Sequence, residues 1–205
     1  MAEARQEGKR KGRTLPDVLT ADEEAALLAQ PNPRYPTGER NRLMLQLMLD
    51  TGLRLSEATA LEWRDLDLTT GKLKVRKGKG AKDRILWVGD EDLEALRKWR
   101  DRQAKDVTGT PSNVFTTLDG KAVSPRYVQA MLKRYAAKAG IARNVHPHLL
   151  RHSFATDLLR EAKNIRLVQR ALGHARLATT EIYTHIVDEE LEDALKSFRC
   201  ATVRA

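Results

Sequence analysis

The chain has 205 residues, 41% of them apolar and 5% aromatic, with 37 Lys and Arg against 28 Asp and Glu for a net charge of +9. That length and apolar content fit a single ordinary domain with a real core, and the basic excess favours a polyanionic partner while the few aromatics leave little for single-strand stacking. Cys200 is the only cysteine, which excludes an intrachain disulfide framework and a cysteine-ligated zinc site.

In chain order, the first thirteen residues are basic and lack the apolar stretch of a secretory signal. Residues 1–19 read as a flexible basic arm, and residues 20–205 as one folded domain. Thr20 opens a capping box, Thr-Ala-Asp-Glu, ahead of a helix from Ala21 to about Gln30. Pro31, Pro33 and Pro36 read as a loop. The run from Asn41 to Asp50 is a mostly buried helix stopped at Gly52, and a short helix follows from about Ser56 to Leu61. Three strands come next, at Leu66–Leu68, Lys72–Arg76 and Arg84–Val88, split by turns at Thr70-Gly71 and Gly78-Lys79-Gly80.

Asp90 is the expected cap of a helix running through about Gln103. Ser124-Pro125 supplies a cap and a first-turn proline for a helix ending at Gly140. Further helices are expected at 147–161, 165–172, 178–185 and 189–198. The fold class is mostly α with a small three-stranded antiparallel β-sheet. No apolar run is long enough to span a bilayer, and a cytoplasmic location is compatible with this composition.

Six residues stand in distinctive short motifs: Arg54, Lys79, His148, Arg151, His174 and Tyr183. Arg54, in Thr-Gly-Leu-Arg-Leu-Ser-Glu, offers a guanidinium fork that matches phosphate oxygens, or alternatively a surface arginine paired with Glu57. Lys79, between glycines, suits donation of a proton to a leaving oxygen at a DNA backbone, or is a solvated hairpin tip. Its surroundings lack the spacing of a nucleotide-binding phosphate loop. His148 and Arg151 share one helix face. His152 completes a His-x-x-x-His spacing, but the Leu-Leu-Arg between makes zinc ligation unfavourable. His174 follows a helix-ending Leu-Gly, and Tyr183 lies in Glu-Ile-Tyr-Thr-His, where a phenol becomes a competent nucleophile only with cationic or imidazole help. His146 and His185 read as structural or surface residues.

Taken together, the ordered motifs resemble the catalytic domain of the tyrosine recombinases, the phage-integrase and Xer-like family, from about Thr20 to Phe198. The wording of Leu-x-x-Arg-His-Ser-Phe-Ala-Thr and of Leu-Gly-His…Ile-Tyr-Thr-His carries the resemblance. It implies the tyrosine recombinase catalytic-domain fold and a transesterification on double-stranded DNA without metal, ATP or other cofactor. Tyr183 would form a 3′-phosphotyrosyl link and Lys79 would protonate the 5′ leaving oxygen. Arg54, Arg151 and His174 would hold the phosphate, with His148 assisting. It also implies self-association as a tetramer on DNA, possible accessory recombination proteins and no membrane partner. The residues before Thr20 are too few for the core-binding domain of the family, so that domain is expected to be absent and DNA binding by the chain to be weak. Competing functions are type IB topoisomerase-like relaxation of DNA and a non-catalytic DNA-binding accessory role.

Overall fold

A computed structural model describes residues 18–76 and 83–173. The arm up to residue 17 and the helices expected at 178–185 and 189–198 lie outside the described residues. Helix α1 (Ala21–Leu28) begins at the expected capping box. The Glu23 amide donates to Thr20 Oγ1 (3.2 Å), while the Thr20 amide donates to Glu23 Oε2 (2.9 Å). Just ahead of it, Leu19 is buried, and its amide donates to Ser153 Oγ at 2.8 Å.

Helix α2 (Pro36–Thr51) begins earlier than its apolar pattern suggested. Pro36 occupies the first helical position, where its fixed φ suits the first turn and its missing N–H removes no helical bond. Leu43 to Leu49 make α2 the central helix of the core, except for a half-buried Gln46. It packs against both α4 (Asp90–Asp106) and α6 (Pro147–Ala162). Within its first turns Arg40 is buried and donates to Asn41 Oδ1, the Thr116 carbonyl (2.7 Å) and Tyr127 Oη (2.9 Å). This network fastens α2 to the start of α5 (Pro125–Lys138), which opens on the Ser124 cap with Pro125 inside the first turn. Helix α4 differs from expectation at both ends. Gly89 is its cap, Asp90 sits inside the helix, and the helix runs past Gln103.

Among the described residues the sheet has two strands, not the three expected. β1 (Lys72–Val75) and β2 (Arg84–Trp87) pair antiparallel with Lys72 opposite Trp87 and Val75 opposite Arg84. The segment at Leu66–Leu68 contributes a single bridge, Leu66 to Leu73. Asp67 ends it: Oδ1 accepts from the Thr69 and Thr70 amides, and Oδ2 from Thr70 Oγ1 at 2.6 Å. A side chain that folds the backbone into a turn this way withdraws it from a ladder. Between α2 and the hairpin lie α3 (Leu55–Thr59) and a short 3₁₀ turn at Trp63–Asp65.

Two hydrophobic clusters organise the described residues. The main one runs from Leu19 through α2, the hairpin, α4 and α5 to Leu149 and Leu150 at the start of α6. A second, much smaller one joins Ala155 and Leu159 of α6 to Val168 and Leu172 of α7 (Ile165–Leu172). Helix α6 therefore belongs to both clusters. No helix among the described residues is long and apolar enough to cross a membrane.

Candidate active site

Arg54 is positioned by the way α2 ends. Gly52 adopts the left-handed conformation (φ 61°) and its amide donates to the Met48 carbonyl. Leu53 then turns into the core, and Arg54 follows in an extended conformation ahead of α3. The Arg54 amide donates to Glu57 Oε2 (2.7 Å), a helix-start carboxylate reaching back to satisfy a free N–H. Its Nη1 donates to Glu57 Oε1 (3.0 Å), and the side chain stays 35% exposed.

Glu57 is shared. Arg84 of β2 approaches it head-on, with Nη1 2.7 Å from Oε1 and Nη2 2.8 Å from Oε2. Burial alone would raise the Glu57 carboxyl. The hydrogen bonds from Arg84 and from the Arg54 amide, with the charges of both arginines, outweigh that and hold it at about 2. It is therefore an anion throughout the neutral range.

Arg151 is 6% exposed. Its Nη1 donates to the Gly52 carbonyl and its Nη2 to the Leu172 carbonyl (2.6 Å) at the end of α7. Three residues earlier, His148 stands exposed in the first turn of α6. His146 caps that helix, its Nδ1 accepting from the Leu149 amide at 3.1 Å, and its ring meets that of His148 edge-on at 6.4 Å. The expected structural role of His146 is thus a helix cap. His152 is half-buried; burial lowers its pKa, helped by His148, His146 and Arg151. Among the described residues no group of three or more His, Cys, Asp or Glu could hold a metal ion.

Arg54, His148 and Arg151 line one cleft of about 320 Å³, together with Gln129 and Lys133 of α5. Arg54 also lines a wider groove of about 560 Å³ bordered by Lys74 and Arg76 of β1. Three of the six sequence-predicted site residues thus meet in one place, drawn from the α2–α3 joint and from α6. Lys79, His174 and Tyr183 lie outside the described residues. Segments near two of them in sequence are tied to the residues of this cleft: Arg84, shortly after Lys79, holds Glu57, and Leu172, shortly before His174, receives Arg151. Such a cleft offers a guanidinium and an imidazole to an anion, with a second guanidinium locked behind them.

Residues 17–190 match the phage integrase family. The chain belongs to the phage integrase family. It is 45% identical over 174 residues to a tyrosine recombinase XerC of Xanthomonas axonopodis pv. citri, covering 85% of this chain and 55% of that one. The crystal structure of XerA recombinase superposes with a TM-score of 0.76 at 33% identity, covering 91% of this chain and 66% of that one. The XerH site-specific recombinase bound to palindromic difH substrate, a post-cleavage complex, gives 0.76 at 31% identity over 94% of this chain and 56% of that one. The chain spans about half the length of the curated relatives it matches. Its helical fold with a small hairpin is that of the integrase family's tyrosine recombinase catalytic domains.

The residue that sequence reading missed is Arg84. It ends the Gly-Lys-Gly-Ala-Lys-Asp-Arg motif and was read only as the start of a strand. A signal was present, since alternation places Arg84 on the same face as Leu86 and so toward the core. An inward arginine demands a buried acceptor. Its partner, Glu57, lies 27 residues away and no local pattern points to it.

Proposed function

We propose that this chain carries the DNA-cleaving and rejoining centre of a site-specific recombinase, acting on double-stranded DNA through a 3′-phosphotyrosyl intermediate. The observation that carries the reading is the convergence of Arg54, His148 and Arg151 on one cleft, from elements far apart in sequence. Arg54 presents a partly exposed guanidinium to a scissile phosphate, while Arg151 is held by two backbone carbonyls. Donors fixed before the reaction stabilise developing charge without reorganising.

In the step itself, Tyr183 Oη bonds to phosphorus as the bond to the 5′ oxygen breaks. Lys79 delivers a proton to that oxygen, and His148 assists removal of the phenol proton. Arg54, Arg151 and His174 hold the non-bridging oxygens. Because phosphate is exchanged between oxygens of similar energy, the bond energy is kept in the covalent link, and the reverse attack by a 5′ hydroxyl rejoins the strand. No metal ion, ATP or other cofactor enters. Residues 20–205 would constitute the catalytic domain and residues 1–19 a basic arm. Assembly as a tetramer on DNA, accessory recombination proteins and a cytoplasmic location belong to the same reading of the whole protein.

The test is incubation of the chain with a library of nicked suicide duplexes carrying randomised arms, followed by denaturing electrophoresis. The wild type should trap a covalent protein–DNA adduct and Tyr183→Phe should trap none. An adduct that persists in Tyr183→Phe overturns the assigned nucleophile. Relaxation of a supercoiled plasmid without recombinant product would shift the reading to a topoisomerase.

A further inference from the structure

We propose that Arg84 is a positioning residue that keeps Arg54 electrostatically available to phosphate, by taking over the charge of Glu57 and fastening it to the end of α7. The inference rests on the cleavage reading above but concerns a residue that touches no substrate.

Among the described residues three cations line the groove next to Arg54, with different fates. Lys74 is paired with Asp83 at 3.0 Å and Arg76 with Asp65 at 2.5 Å. Arg54 is paired with Glu57, but that carboxylate already faces the fork of Arg84 through both oxygens. Two guanidinium groups and one carboxylate leave this trio with a net charge of +1. Arg84 is 8% exposed and behind Glu57, so it cannot offer that charge to a ligand. Arg54, 35% exposed and lining both clefts, can. Without Arg84, Glu57 and Arg54 would neutralise one another.

The third contact of Arg84 couples this charge to position. Its Nε donates to the Ala171 carbonyl at 2.8 Å, next to the Leu172 carbonyl that receives Arg151. Carbonyls at a helix C-terminus lack intrahelical partners and carry partial negative charge, so two guanidinium groups are well matched to them. Gly173, left-handed at φ 63°, ends the helix there. A lysine could keep the charge of Arg84, but its single ammonium cannot reproduce a flat fork on the carboxylate together with a separate Nε–H on the carbonyl.

The experiment compares the full chain with Arg84→Met, Arg84→Lys and the pair Arg84→Met with Glu57→Gln. Duplex binding is followed by fluorescence anisotropy against salt, and adduct formation by the suicide assay. Arg84→Met should make the slope of log affinity on log salt shallower by about one, the signature of one lost phosphate contact. It should also slow adduct formation on the order of a hundred-fold. Adding Glu57→Gln should restore the slope, which a purely structural role of Arg84 would not predict. Arg84→Lys should keep the slope and lose rate, and it decides the matter if thermal melting shows that Arg84→Met does not fold. A wild-type slope in folded Arg84→Met, or a lost slope in Arg84→Lys, overturns the proposal. A wild type that binds duplex but forms no adduct counts against the cleavage reading alone.

Discussion

Gly52→Ala should lower the melting temperature by about 6–12 °C, because this glycine serves backbone, packing and site at once. Its φ of 61° is left-handed, which costs an L-residue about 1 kcal/mol. A Cβ built there meets Phe154 Cδ1 at 2.3 Å and Cε1 at 2.7 Å. These are ring atoms, not the tip of a flexible chain, so the ring or the helix must move. Overpacking of that kind costs about 2 kcal/mol more. The sum of about 3 kcal/mol, at roughly 2–4 °C per kcal/mol for a domain of this size, gives the stated range.

The Gly52 carbonyl also receives Arg151 Nη1, so a displaced backbone carries the buried guanidinium with it. Calorimetry of Gly52→Ala, Phe154→Ala and the double variant separates the contributions. The double variant should be less destabilised than the sum of the singles, by about the clash share of 2 kcal/mol. A Gly52→Ala protein melting within about 2 °C of wild type, or strictly additive effects, would refute the reasoning.

Asp92, buried in the first turn of α4, is pushed up to about 7 by burial, by its hydrogen bond and repulsion with Asp50, and by Glu91. A carboxyl whose folded value lies above its unfolded one binds protons better in the fold. Stability is therefore lost as pH rises from about 4 to about 7. Asp92→Asn should melt like wild type near pH 4 and be more stable by about 2–4 kcal/mol at pH 8; a gain independent of pH would contradict this account. At the start of α6, His146→Ala should cost about 1 kcal/mol in chemical denaturation, and His146→Asn should recover most of it, since asparagine also accepts from the helix amides. Equal losses in both variants would mean that the cap contributes little.

Local chemistry was well written into the sequence. The Thr20 capping box, the Ser124-Pro125 start and the helix from Ile165 to Leu172 appear where their residues indicate, because each is decided within one turn of chain. Pro36 misled because proline signals both loop and helix start, and only the packing of the turns after it chooses between them. Leu66–Leu68 looked like a strand by its alternation, yet Asp67 competes for the backbone with its own side chain. In the site, the pairing of Arg54 with Glu57 was readable from their spacing. Its completion by Arg84, and the seating of Arg151 on two carbonyls, depend on contacts across 27, 99 and 21 positions in sequence, which no window along one chain registers.

The division of the apolar interior of the described residues into one large cluster and one small one places α7 at the edge of both. Among the described residues, helix α7 meets the far half of α6 through Val168 and Leu172, touches the main cluster through Ala171, and carries two guanidinium clasps on its last carbonyls. Both clasps fall on the end of the helix that leads to His174, so they set where the chain leaves α7 toward that residue. Arg84 and Arg151 thus act as two pins at one helix end, the first tying it to the hairpin and the second to α6.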